Sequence, residues 1–149
     1  MKPKLLALAL MVLVPGLFLA LGQMNPVDGK GQKSTQIKDN GIGPIKSVTV
    51  GKTLDKKMVA EGQVIFYSKC SKCHALNSTK AAPPLAGVTK MLSPAFIMNY
   101  LLNTTQMQQK DQYVKQLMQY YQSFPKMPPQ NLSEGQARAI LEFLRSTAK

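Results

Sequence analysis

The chain has 149 residues, of which 44% are hydrophobic and 17% are charged. This balance is typical of a single folded domain and excludes an intrinsically disordered polypeptide. Lysine and arginine outnumber aspartate and glutamate by 19 to 7, for a formal net charge of +12. The excess predicts attraction to acidic surfaces. It does not favour nucleic acid as a partner, because no compact basic run with interleaved aromatic residues is present.

The N-terminal 22 residues have the organisation of an export segment. Two lysines precede an uncharged apolar run over residues 5–21, which Pro15 and Gly16 interrupt. Ala20 and Gly22 are small residues at the −3 and −1 positions of a cleavage after Gly22, as in a signal peptide. An uncleaved membrane anchor is the alternative, since about 17 apolar residues are the lower limit of a span. Both readings predict a periplasmic or other extracytoplasmic protein, either soluble or anchored by residues 5–21.

Residues 23–50 are predicted to be a flexible linker, because the first part of this stretch contains two glycines, a proline and three lysines and has little apolar content. Ile45, Val48 and Val50 predict a short extended piece near its end. The folded domain is then expected to occupy residues 51–149.

Four helices are predicted within that domain. Thr53 is a candidate N-cap for the first, which has apolar residues at helical spacing as far as Cys70. Ser93 followed by Pro94 is a cap with proline in the first helical position, and it begins the second.

The third predicted helix covers residues 111–121, and the last begins at Ser133. Gln136 lies three residues after Ser133, which is the spacing of a capping box. No alternating run is long enough to predict a sheet, so the fold class expected is a small all-α domain.

The chemistry of the chain is concentrated in residues 70–74, Cys-Ser-Lys-Cys-His. The pattern C-x-x-C-H is the attachment signal of a c-type haem. Two thiols three positions apart reach the two vinyl groups of one porphyrin edge, and the histidine that follows lies beneath the ring. The chain has two cysteines and one histidine, and all three lie in this pentapeptide. We therefore predict covalent haem c on Cys70 and Cys73, with His74 on the iron.

Three other readings of the same residues are weaker. A thioredoxin-type redox pair needs a βαβ context, whereas the flanking segments here predict helices. A structural zinc site needs four ligands, and no second cysteine or histidine cluster completes the set. A structural disulfide in an exported protein leaves His74 without a role.

Residues 62–74 resemble the N-terminal helix and haem motif of class I cytochromes c. Gly62 and Phe66 stand eight and four positions before Cys70, as the family's glycine and aromatic residue do. The resemblance implies that Gly62 allows the C-terminal helix to approach closely, since glycine has no side chain at the crossing. Phe143 matches the aromatic position of that last helix, and Phe66 and Phe143 are expected in the core.

Two further segments share the resemblance. Residues 82–87, Ala-Pro-Pro-Leu-Ala-Gly, are similar to a family turn that begins with glycine where this chain has Ala82. The resemblance implies that the Pro83 carbonyl accepts a hydrogen bond from His74 and that Leu85 packs on the haem. Met127 lies in a proline-flanked loop just before the last helix, where the family places its axial methionine. Met127 is thus the predicted sixth ligand, with Met107 in reserve.

A haem iron with both axial positions filled by His74 and Met127 can only exchange electrons. We therefore predict a one-electron carrier and not an enzyme. Alternatives are a membrane-tethered subunit of a larger respiratory complex, and a haem enzyme or gas-binding protein with an open sixth site. The expected partners are redox proteins with acidic surfaces: an oxidase, a reductase or a quinol-oxidising complex. Lysines in segments predicted to border the haem would guide such encounters; these are Lys69, Lys72, Lys80, Lys90 and Lys126.

Overall fold

A computed structural model describes residues 39–148. The predicted export segment and most of the predicted linker lie outside the described residues, as does Lys149. Within the described range the chain is helical and has no β-strand, which confirms the all-α prediction. No helix of residues 39–148 combines the length and apolar character needed to cross a bilayer.

The helices follow one another in chain order with short connections. They are α1 (Lys56–Ile65), continued by a π-helical turn (Phe66–Cys70), α2 (Val88–Met91), α3 (Pro94–Leu102), α4 (Thr104–Lys110), α5 (Gln112–Tyr120) and α6 (Glu134–Ser146). The caps predicted at Ser93 and Ser133 are confirmed. Ser93 Oγ accepts the Phe96 N–H at 3.0 Å, and Ser133 forms a reciprocal capping box with Gln136.

The prediction that Thr53 caps α1 is wrong. The cap is Asp55, whose carboxylate accepts the N–H groups of Lys57 and Met58 at 2.9 and 3.0 Å. Both residue types are good caps. Asp55 has the further advantage that its own N–H donates to Glu142 of α6 at 3.0 Å, a contact that no local pattern contains.

The crossing of α1 and α6 is the main helix contact of the domain. Gly62 makes this crossing possible, as the resemblance to class I cytochromes c implied: a Cβ atom at this position would lie 2.0 Å from the carbonyl oxygen of Ala139. Next to the crossing, the rings of Phe66 and Phe143 pack with their centroids 5.2 Å apart. Both side chains are buried in the main core.

A buried carboxylate connects the two ends of the domain. Glu142 is 1% exposed and lies between two arginines of α6, with Arg138 Nη1 and Arg145 Nη1 each 2.7 Å from a carboxylate oxygen. Arg145 also donates to the carbonyl of Gly51 at 2.6 Å. Burial raises the pKa of Glu142, but the bonds from Arg138, the Asp55 backbone and Arg145 together lower it below its usual range. Glu142 is therefore charged at neutral pH.

Residues 39–50 fall within the stretch predicted as linker, and they lie against the helices. Asn99 of α3 is fully buried, and its side chain accepts from Ile45 N–H at 2.9 Å and donates to the carbonyls of Asn40 and Ile45 at 2.8 Å each. Ile45 is part of the main core, and Val48 and Val50 pack against it. These residues form no strand.

Candidate functional site

The end of the first helix presents the Cys-x-x-Cys-His motif. In the π-helical turn the N–H of Ser71 donates to the carbonyl of Phe66 five residues earlier, at 2.9 Å. The N–H groups of Cys73 and His74 then both donate to the carbonyl of Cys70, at 3.1 and 2.8 Å. The motif is thus a tight turn closed on the last residue of the helix. Its first cysteine is held in the core, while the histidine that follows is half-buried.

His74 is oriented by a backbone carbonyl. Its Nδ1 lies 2.8 Å from the carbonyl oxygen of Pro83. Because that oxygen can only accept, Nδ1 carries the proton, and the lone pair of the neutral ring is on Nε2. Metal-binding histidines have this arrangement, in which an outer partner fixes the ring and increases its basicity.

The turn that carries Pro83 is fastened to the segment after His74. Leu85 N–H donates to the carbonyl of Ala75 at 3.1 Å, and Ala86 N–H donates to that of Leu76 at 2.9 Å. The contact between His74 and Pro83 that the resemblance implied is therefore part of a paired loop. The contribution of Pro83 and Leu85 to haem binding stays a prediction.

The thiols of Cys70 and Cys73 are both free. Burial raises the pKa of the Cys70 thiol; nearby Lys69 lowers it, and Cys73 adds to the increase. A structural zinc site needs four ligands, and the two thiols and one imidazole of the motif supply three. Residues 39–148 also contain no group of three or more Cys, His, Asp and Glu side chains able to hold a metal ion.

Apolar side chains that follow the motif along the chain are covered by the protein only in part. Several side chains after the motif pack on the main core yet are incompletely buried: Leu76, Leu85, Val88, Leu92, Leu102, Met127 and Leu132. Such a set suits a flat apolar ring that completes the burial. Two free thiols at motif spacing, an imidazole with Nε2 available and partly covered apolar side chains together fit a haem.

The two candidate axial methionines differ in their surroundings. Met107 of α4 is wholly buried with Phe96 and Val114 in a second, smaller core cluster. Its sulfur accepts the N–H of Ile42 at 2.9 Å. Met127 is half-buried in the loop between α5 and α6 and packs against the main core.

One residue that contacts the Met127 loop could not be identified from any pattern in the sequence. Gln108 of α4 donates from Nε2 to the carbonyl oxygen of Met127 at 2.8 Å. The two residues are 19 positions apart, and α4 itself was not among the predicted helices. No local pattern could have identified the pair.

Comparison with known proteins is consistent with this geometry. Residues 59–148 match the family described as Cytochrome c. A solved cytochrome c from Rhodothermus marinus is 42% identical with a TM-score of 0.67, and the match covers 71% of this chain and 90% of that one.

Two other solved structures extend the comparison. An engineered form of the Rhodothermus marinus protein, bound to a carbene intermediate, is 40% identical with a TM-score of 0.64, over 71% of this chain and 90% of that one. A cytochrome c domain from Pseudomonas putida is 25% identical with a TM-score of 0.51, over 57% of this chain and 85% of that one.

No curated protein sequence is significantly similar to the chain. The family match nevertheless spans the helical domain from within α1 to its C-terminal end, including the motif and α6. The chain accordingly belongs to the cytochrome c family, as a class I c-type cytochrome with one covalently bound haem c.

Proposed function

We propose that this protein is an extracytoplasmic one-electron carrier in which His74 and Met127 are the axial ligands of the haem iron. The observation that carries the proposal is the contact between His74 Nδ1 and Pro83 O at 2.8 Å, which leaves Nε2 available for the iron. The bound haem supplies an iron centre that alternates between Fe(III) and Fe(II). Cys70 and Cys73 are the chain's two cysteines, so they are assigned to its two thioether bonds.

The choice of Met127 rests on what surrounds each thioether. The Met107 sulfur already accepts a hydrogen bond inside a closed apolar cluster, so using it as a ligand would require that cluster to open. Met127 is part of a loop with proline at positions 125, 128 and 129, which restrict the backbone before and after it. A restricted loop holds a weakly binding thioether at small entropic cost.

The surface chemistry favours acidic redox partners. The five lysines expected around the site are all exposed in the structure: Lys69, Lys72, Lys80, Lys90 and Lys126. With a formal net charge of +12, the protein would associate faster with an acidic surface at low ionic strength than at high. Whether the chain is released or remains tethered depends on residues 1–22, and a tethered form would perform the same electron transfer for a nearby partner.

An open sixth position is the alternative from a different functional class. The engineered Rhodothermus marinus protein bound to a carbene intermediate favours it, because that relative holds a reactive group. In this chain, filling of the sixth position by Met127 would suppress such chemistry, since an added ligand must first displace the thioether.

Replacing Met127 with leucine tests the ligation. Leucine keeps the apolar volume and removes the sulfur, so the reduction potential should fall by roughly 0.1 V or more, since axial ligands tune haem potentials over about 0.8 V. The absorption band specific to thioether-bound Fe(III) should disappear. Both are measured on purified holoprotein by spectroelectrochemical titration.

Met91→Leu is the matched control, because Met91 is 50% exposed and lies at the end of α2. Its potential and spectrum should remain those of the parent protein. If Met127→Leu also leaves both unchanged, Met127 is not the ligand. Tight binding of carbon monoxide to the reduced parent protein, without loss of a thioether ligand, would favour the open-site alternative.

A further inference from the structure

The side-chain amide of Gln108 connects three parts of the chain that meet beside the Met127 loop. Its Nε2 donates to the Met127 carbonyl at 2.8 Å and to the hydroxyl oxygen of Tyr100, on α3, at 3.4 Å. An amide NH2 has two protons, so one group can make both bonds. All three residues are half-buried, and a hydrogen bond is stronger there than in open water.

The Met127 loop has few backbone donors that could hold its conformation through internal hydrogen bonds. Three of its five residues from Pro125 to Pro129 are prolines, which leaves backbone N–H groups only on Lys126 and Met127. Gln130 donates to the carbonyl of Pro128 at 2.7 Å, but this bond stays within the connection between α5 and α6. The bond from Gln108 differs because it ties the loop to a helix 19 residues away, and it does so at the methionine itself.

We propose that Gln108 is a positioning residue for the axial methionine. By holding the Met127 carbonyl, it restrains the backbone from which the thioether extends. It thereby sets how readily an outside ligand replaces that thioether on the iron. The inference rests on the proposed ligation by His74 and Met127, and it adds a determinant of how firmly the sixth position is closed.

The orientation of the Gln108 amide follows from its partners. The Met127 carbonyl can only accept a hydrogen bond, so the NH2 end of the amide must face it. Glutamate has the same shape but presents only acceptors when ionised. Gln108→Glu therefore removes the bond with almost no change in volume, whereas Gln108→Leu removes it together with all polarity.

The test measures imidazole affinity of the ferric holoprotein, because imidazole must displace the sixth ligand in order to bind. Loss of one hydrogen bond to the loop should tighten imidazole binding about fivefold in both Gln108 variants. The 15N order parameters of the Lys126 and Met127 amides, measured by NMR, should fall because the loop backbone becomes more mobile. This second readout reports on the loop backbone and does not depend on redox activity.

Gln109→Leu is the matched control, since Gln109 is exposed and is adjacent on the same helix. It should leave both readouts at parent values. Combining Gln108→Leu with Met127→Leu should give the imidazole affinity of Met127→Leu alone, because no thioether remains to be positioned.

Two failures are distinguishable. If Met127→Leu leaves imidazole affinity unchanged, the proposed ligation fails and the role of Gln108 fails with it. If Met127→Leu changes the affinity strongly while both Gln108 variants stay within twofold of the parent, only the positioning role is overturned. An effect of Gln108→Leu that persists in full in the Met127→Leu background would likewise overturn it, since Gln108 would then act on general stability.

Discussion

Replacing Gly62 with alanine tests the helix crossing on which the domain depends. The added Cβ would lie 2.0 Å from the Ala139 carbonyl oxygen, 2.5 Å from its carbonyl carbon and 2.9 Å from Phe143 Cβ. Carbon and oxygen atoms in contact are about 3.3 Å apart, so α1 and α6 would have to separate by roughly 1 Å. The nearest atoms belong to the backbone, and no change of rotamer relieves the contact.

Two opposing effects determine how much Gly62→Ala changes the free energy of unfolding. Overpacking a tight core costs up to about 3 kcal/mol, and a gap of about 1 Å elsewhere along the interface forfeits a quarter to a half of its dispersion energy. Alanine is better than glycine inside a helix by about 1 kcal/mol. The clash is the larger effect, so we expect Gly62→Ala to lower the free energy of unfolding by about 2–3 kcal/mol. That is a large share of the 5–15 kcal/mol typical of a domain.

The assay is guanidinium unfolding of the holoprotein, followed by far-ultraviolet circular dichroism. The transition midpoint should fall while its slope stays the same. Gly135→Ala in α6 is the control: a Cβ there would meet Ser133 Oγ at 3.9 Å, an ordinary contact. It should be neutral or stabilising by about 0.5 kcal/mol. If the Gly62 and Gly135 variants are equally stable, the two helices do not cross as closely as described.

Two further predictions concern the haem attachment and the buried carboxylate. Replacing both Cys70 and Cys73 with alanine should leave no haem-linked peroxidase activity with the chain on a denaturing gel; a band that persists would contradict thioether attachment. The pKa of Glu142 is lowered, so its stabilising contribution is full above about pH 4.5 and is lost as pH falls through the folded-state pKa. Glu142→Gln should cost roughly 3 kcal/mol at pH 7 and flatten the acid dependence of unfolding. An unchanged dependence would mean that other groups cause it.

Where helices begin could be predicted when the signal was local. The caps at Ser93 and Ser133 bond to N–H groups three residues away, and both positions are confirmed. The choice between Thr53 and Asp55 was not local, because Asp55 is favoured by Glu142, 87 residues later. Helix α4 has Met107 as its one buried apolar side chain and no side-chain cap, so neither apolar periodicity nor a capping residue indicated this helix.

The candidate site shows the same difference between local signals and long-range contacts. The motif and the Pro83 turn are contiguous patterns, and the bond between His74 and Pro83 spans only nine residues. The contacts of Asn99 and Gln108 join distant segments, and no pattern in the sequence indicated them. Asn99 reads as an ordinary helical residue, although it holds a stretch that is 54 residues away and rich in glycine. Gln108 is one of several glutamines in its region, and only the fold selects it.

The wide turn Phe66–Cys70 makes the length of this segment as important as its composition. Deleting one residue here would change the direction of the first thiol relative to Phe66, because the i→i+5 turn would be lost while Phe66 stayed against Phe143. Transplanting the five-residue motif alone onto another helix would therefore misdirect its cysteines. Transfer of the haem-attachment site to another protein should therefore include all residues from Phe66 to His74.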